Sequence, residues 1–138
     1  MPEMSLSGAC MCGAVRFEIT EPPPGAGYCH CTRCQRRSGT AAAVSAAVAP
    51  GSFRVTAGED QVGSWDPPGG GFRKSFCRTC GSALWAGPPD GEVAVVRMGA
   101  FEEDPGVRPS FRQHTATAVP WEPLPDDGLE RFERARGA

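Results

Sequence analysis

Seven cysteines in three tight clusters are the feature that most constrains this chain of 138 residues. The clusters are Cys10-x-Cys12, Cys29-x-Cys31-x-x-Cys34 and Cys77-x-x-Cys80-Gly81. Thiolate ligands must converge at about 2.3 Å from a zinc ion, and a C-x-x-C turn followed by glycine allows two sulfurs to do so. Residues two apart on an extended chain point the same way, so a C-x-C pair can complete such a clip. The spacing therefore indicates metal binding.

The number of cysteines suits one closed and one open metal site. A structural zinc takes four ligands, whereas a catalytic zinc keeps one coordination position free for water or substrate. We expect the first and last pairs to form the closed site, which consists of Cys10, Cys12, Cys77 and Cys80. The central cluster would form the open site from Cys29, Cys31 and Cys34.

The spacing also permits other arrangements. The C-x-x-C pair can close with two of the central three cysteines, and the closed set can be four buried thiols without a metal. The central cluster can be a second structural site with His30 or His114 as its fourth ligand, or a redox-sensing thiol pair. We favour four plus three because three ligands so close in sequence need no distant partner.

Charge and hydropathy exclude several classes of partner. The chain has 14 basic and 16 acidic residues, and this formal net charge of −2 gives no drive towards nucleic acid. No apolar stretch reaches membrane-spanning length, and the N-terminus lacks a basic start followed by an apolar run. We therefore expect a cytoplasmic protein, and in that reducing compartment seven cysteines, an odd number, are unlikely to form a disulfide framework. The expected partners are a small-molecule thiol and an electrophile, with no nucleic acid or membrane partner.

Frequent glycine and proline predict short strands and many turns, because both residues disfavour helix interiors. The chain contains 18 Gly and 14 Pro. Alternation and apolar runs predict strands over 14–19, 41–48, 53–56, 61–65, 71–77, 82–86, 93–98 and 111–119. In the tail, Asp126 or Asp127 can cap a short helix whose Leu129 and Phe132 contact the body. We expect a single domain over 1–138, with its core at about 7–121 and its tail at 122–138.

The residues around the cysteines form longer motifs. They read GACMCGAVRF over 8–17, CHCTRCQRRSG over 29–39 and FCRTCGS over 76–82, followed by Met98-Gly99, His114 and Pro120-Trp121. This pattern resembles the glutathione-dependent formaldehyde-activating enzyme and centromere-protein-V family (GFA/CENP-V), and the resemblance covers roughly residues 7–121.

The resemblance implies a fold, a pair of metal sites and an activity. The implied fold is all-β, a zinc-stabilised set of folded-over antiparallel β-sheets of the Mss-four-like type. The family's structural zinc would be held at the positions of Cys10, Cys12, Cys77 and Cys80, and its catalytic zinc at those of Cys29, Cys31 and Cys34. The implied activity is that of a carbon–sulfur lyase, which joins glutathione and formaldehyde into S-hydroxymethylglutathione or cleaves that adduct.

Further residues beside the central cluster are candidates for the site. Arg33, Arg36 and Arg37 could hold the carboxylates of a glutathione-like thiol, although a solvated positive face is the simpler interpretation. His114 is a catalytic candidate because its position matches the family, whereas we expect His30 to point away from the metal. The rival hypothesis is a zinc-stabilised binding module with two structural metals and no catalysis.

Overall fold

Short strands separated by glycine and proline turns form two β-sheets. The structure, a computed structural model, describes residues 5–137. Its strands are β1 (Leu6–Ala9), β2 (Arg16–Ile19), β3 (Ala26–Cys29), β4 (Ala43–Ala47), β5 (Phe53–Ala57), β6 (Val62–Trp65), β7 (Arg73–Cys77), β8 (Ala83–Gly87), β9 (Val95–Arg97), β10 (Phe111–Gln113) and β11 (Glu130–Arg131). A single α-helix among these residues, α1 (Thr32–Ser38), follows β3, and single 3₁₀ turns cover Glu59–Gln61, Met98–Ala100 and Thr115–Thr117.

The two sheets differ in size and in strand direction. The small sheet has the order β1-β2-β5 and is antiparallel. The large sheet has the order β11-β10-β3-β4-β9-β8-β7-β6, and it is antiparallel except that β10 runs parallel to both β3 and β11. The parallel pairing sets Gln113 opposite Cys29. It therefore brings the residues that follow β10 beside the central cysteine cluster.

The hydrophobic core lies between the two sheets. Strand β2 alternates as its sequence predicts, and Phe17 and Ile19 are buried completely. The Phe17 ring packs edge-on against Trp85 of the large sheet, with the ring centroids 5.8 Å apart. A Cβ atom at Gly8 would collide with the same Phe17 ring, so β1 can lie against β2 only with glycine at that position.

Most of the sequence-based fold prediction is confirmed. The fold is mostly β, and the predicted strands are found with ends shifted by a few residues; the exception is 111–119, where only Phe111–Gln113 is a strand. Four elements were not predicted from the sequence, namely β1, β3, α1 and β11. Among residues 5–137, no helix is long and apolar enough to cross a membrane.

The predicted helix in the tail is wrong. Gly128 adopts a left-handed φ of 74°, and the Asp127 side chain binds Arg112 instead of capping a helix. The chain then runs extended as β11 beside β10. The expected contact with the body does form, because the Phe132 ring packs edge-on against that of Phe111.

Candidate metal centres and adjoining cavity

The structure gathers the seven sulfur atoms into a group of four and a group of three. The ligand atoms within each group all lie within 4.8 Å of one another. The group of four contains Cys10, Cys12, Cys77 and Cys80, and the group of three contains Cys29, Cys31 and Cys34. The alternative in which the C-x-x-C pair joins the central cluster therefore does not match the geometry.

Two glycine turns bring the four thiols of the first group together. The turn after β1 closes through a hydrogen bond from the Gly13 amide to the Cys10 carbonyl, at 3.1 Å. The turn after β7 closes through the Gly81 amide and the Cys77 carbonyl, at 2.8 Å. Both glycines have a φ of 80°, which a residue with a Cβ rarely adopts.

The donor set and spacing of the four-thiol group fit a zinc ion. Zinc–sulfur bonds of about 2.3 Å in a tetrahedron place the sulfurs about 3.8 Å apart. The Sγ atoms of Cys10 and Cys12 are 3.6 Å apart, and those of Cys12 and Cys77 are 3.9 Å apart. The Ser82 hydroxyl lies 3.2 Å from the Cys80 sulfur and is the main reason why the pKa of that thiol falls to about 5.

The group of three sits where β3 passes into α1. Cys29 ends the strand, Cys31 is the N-cap of the helix, and Cys34 lies in its first turn. The Cys31 sulfur accepts a hydrogen bond from the Cys34 amide at 3.3 Å, as an N-cap side chain does. The hydrogen bond between Cys29 and Cys31 raises the pKa of the Cys29 thiol and lowers that of Cys31. Three converging thiols match the donor set of an open zinc site.

All three of these cysteines line a cavity of about 720 Å³. This size is within the range of small-molecule sites. Phe72, Trp85 and Phe111 form apolar parts of the wall. The four cationic side chains in the lining come from distant parts of the sequence; they are Arg33, Lys74, Arg97 and Arg136. Neither Asp nor Glu occurs among the described residues that line it.

Each of the four cations contacts a polar or an aromatic neighbour. Arg33 donates a hydrogen bond to the Gly70 carbonyl at 3.1 Å, and Arg97 donates one to the Ser45 hydroxyl at 3.1 Å. The Lys74 ammonium lies 6.0 Å from the centre of the Phe72 ring, and Arg136 lies 4.4 Å from that of Phe111. Burial is the main cause that lowers the pKa of Lys74.

The structure places one of the three predicted arginines in the cavity lining and the other two elsewhere. Arg33 lines the cavity, whereas Arg36 and Arg37 do not. Arg37 instead donates a hydrogen bond to the Ser75 carbonyl at 3.0 Å and lies over the Phe76 ring. Arg36 is exposed on the outer side of α1.

Only one of the two histidines lines the cavity. His114 lines the cavity and has a left-handed φ of 57°. His30 is 3% exposed, and its Nε2 lies 3.2 Å from an Arg112 nitrogen, so it faces away from the cavity as predicted. Burial, reinforced by Arg112, lowers the pKa of His30.

Sequence reasoning missed three of the four cavity cations. Lys74 had a local signal, because the alternation over 71–77 places it on one face with Phe72 and it is the single lysine of the chain. Arg97 and Arg136 had none. They reach the cavity only because β9 joins the large sheet and the tail returns along β10.

Comparisons with known proteins agree with this geometry. The family model described as "Glutathione-dependent formaldehyde-activating enzyme" matches residues 5–117. A Halomonas elongata protein named "Putative glutathione-dependent formaldehyde-activating enzyme" is 28% identical over 119 residues, which are 80% of this chain and 74% of that protein. A crystal structure of a Rhodobacter sphaeroides protein superposes with a TM-score of 0.59 at 25% identity, covering 91% of this chain and 98% of the other. The chain thus belongs to the glutathione-dependent formaldehyde-activating enzyme family.

Proposed function

We propose that the protein is a zinc-dependent carbon–sulfur lyase that forms and cleaves the adduct of a glutathione-like thiol with formaldehyde. The observation that carries this proposal is the convergence of three thiols on a cationic cavity. The four-thiol group lies outside the lining of that cavity, which suits a structural role. Membership of the family supports the choice of thiol and aldehyde.

The Cys29, Cys31 and Cys34 side chains would hold the catalytic zinc, and Cys10, Cys12, Cys77 and Cys80 the structural one. When bound at the triad, zinc supplies a cation that lowers the pKa of a substrate thiol.

The chain's own residues would bind the thiol and manage its proton. Arg33 and Lys74 offer charged donors for carboxylates, and Phe72 and Trp85 exclude water from one side of the cavity. In the reaction, the thiol sulfur forms a bond to the aldehyde carbon, the carbon–oxygen π bond breaks, and the thiol proton ends on the oxygen. His114 lines the same cavity and is the imidazole available to carry that proton.

Thiol–formaldehyde exchange followed by carbon-13 exchange NMR tests the proposal. The wild-type protein should accelerate exchange between glutathione and its hydroxymethyl adduct, and Cys31→Ser should reduce the rate to the uncatalysed background while the protein stays folded. Cys12→Ser is the matched control in the other group, and it should lose thermal stability together with its metal.

Two outcomes would contradict the proposal. Retention of full activity by Cys31→Ser would remove the triad from catalysis. A wild-type protein without activity, in which Cys31→Ser loses metal and thermal stability together, would favour the zinc-stabilised binding module.

A further inference from the structure

The described lining of the cavity carries cationic but no acidic side chains. Four cationic side chains line it, and none of the described lining residues is acidic. The salt bridges found among residues 5–137 involve other arginines, namely Arg16, Arg54, Arg73, Arg108 and Arg112. The cavity cations are in none of these salt bridges, and neither are five arginines outside the cavity, so the distinctive feature is the grouping of four cations around one cavity.

The cavity cations also act on one another. Burial is the main cause that lowers the pKa of Lys74 and of Arg37; Arg97 adds to the lowering of both, and the Cys34 thiol opposes it. Lys74 and Arg97 stand on β7 and β9, separated by the single strand β8. Like charges around one cavity repel each other and are stabilised by a bound anion, so the arrangement favours a strongly anionic ligand.

We propose that the thiol substrate is a polyanion with at least two carboxylate or phosphate groups and no free ammonium group facing the cavity. The inference rests on the proposed function, since it concerns the same site. Glutathione itself carries two carboxylates and one ammonium. Its carboxylates match the cations, whereas its ammonium would meet four like charges, which outnumber the single net negative charge that three thiolates and a zinc ion would place at the triad.

A pair of matched thiols tests this inference. N-Acetylglutathione has the same thiol and the same two carboxylates as glutathione, but its amine is a neutral amide. Calorimetric titration of the zinc-loaded protein should give a dissociation constant at least about fivefold lower for N-acetylglutathione, because one like-charge contact at 4 Å costs about this factor even in water. Equal or tighter binding of glutathione would overturn the proposal.

Two variants test whether the preference for N-acetylglutathione over glutathione arises in the cavity. Lys74→Glu supplies a carboxylate for the ammonium and should shift the preference towards glutathione. Arg54→Gln removes one exposed positive charge from the small sheet and should leave the preference unchanged. A preference that Lys74→Glu does not alter would also contradict the proposal.

The binding and turnover measurements separate the two proposals. If the proposed function fails, neither thiol gives turnover above Cys31→Ser, but the ratio of dissociation constants still decides the charge preference. If only the further inference fails, exchange is catalysed and glutathione is the better ligand.

Discussion

The backbone of His114 departs from ordinary residue geometry at the edge of the cavity. Its φ of 57° makes it the one non-glycine residue among 5–137 with a positive φ. A left-handed residue costs roughly 1–2 kcal/mol, and such strain concentrates at functional sites. The conformation ends β10 after three residues and turns the chain so that this side chain reaches the cavity.

Replacing His114 by glycine separates function from stability. His114→Gly should leave the free energy of unfolding unchanged or raise it by up to about 1 kcal/mol, because glycine adopts this φ freely. The same change should lower kcat by a factor of about 10²–10⁴ through loss of the proton carrier. Thermal unfolding and exchange NMR measure both effects. Unchanged turnover in a folded variant would show that the imidazole has no catalytic role.

The loop before β7 is the element that connects α1 to the cavity wall. Arg33 of α1 binds the Gly70 carbonyl, and a Cβ atom at Gly71 would lie 2.9 Å from the Arg33 guanidinium. Gly71 also has a φ of 121°. The loop leads directly into Phe72 and Lys74, so its conformation determines where both side chains enter the cavity.

Alanine substitutions in this loop distinguish backbone strain from displacement of Arg33. Gly71→Ala and Gly69→Ala both force alanine into a left-handed φ and should each cost about 1–2 kcal/mol of stability. Only Gly71→Ala meets Arg33, whereas the space beside Gly69 is open. Gly71→Ala alone should therefore raise KM for the thiol. An equal rise in KM for both variants would mean that Arg33 does not position the substrate.

The tail is attached through an ion pair whose strength depends on pH. A hydrogen bond from Arg112 lowers the pKa of Asp127, so the pair stabilises the fold above the ordinary aspartate pKa of about 3.9 and weakens as pH falls through the lower folded value. Asp127→Asn should lower Tm at neutral pH, and the difference from wild type should shrink in acid. Thermal melts at several pH values check this. A Tm difference that does not change with pH would contradict the ion-pair explanation.

Some elements of secondary structure could be predicted from their own sequence, and others could not. Strand β2 was predictable because its alternation matches one buried face. Helix α1 has no buried residue, so it shows no apolar periodicity, and its start depends on Cys31 as N-cap. Strand β3 contains Gly27, which resembles turn sequence but is required because a Cβ there would collide with the Phe111 ring. Strand β3 therefore depends on long-range packing, whereas α1 depends on a local cap that apolar periodicity does not show.

At the scale of the whole molecule, the two thiol groups lie at different places in the fold. The four-thiol group lies where the β1–β2 turn of the small sheet meets the β7–β8 turn of the large sheet. The three-thiol group lies within one short segment and faces the cavity. Cysteine spacing predicted both groups, whereas the cavity cations depend on strand order, which local sequence does not encode.

The number of zinc ions per chain tests this division most directly. Wild-type protein purified without chelators should contain two zinc ions per chain, and Cys31→Ser should contain one while keeping a Tm close to that of wild type. Elemental analysis and thermal melts on the same samples provide both values. Fewer than one zinc per wild-type chain, or a Cys31→Ser protein that loses both metals and its fold, would contradict the division into a structural and a catalytic site.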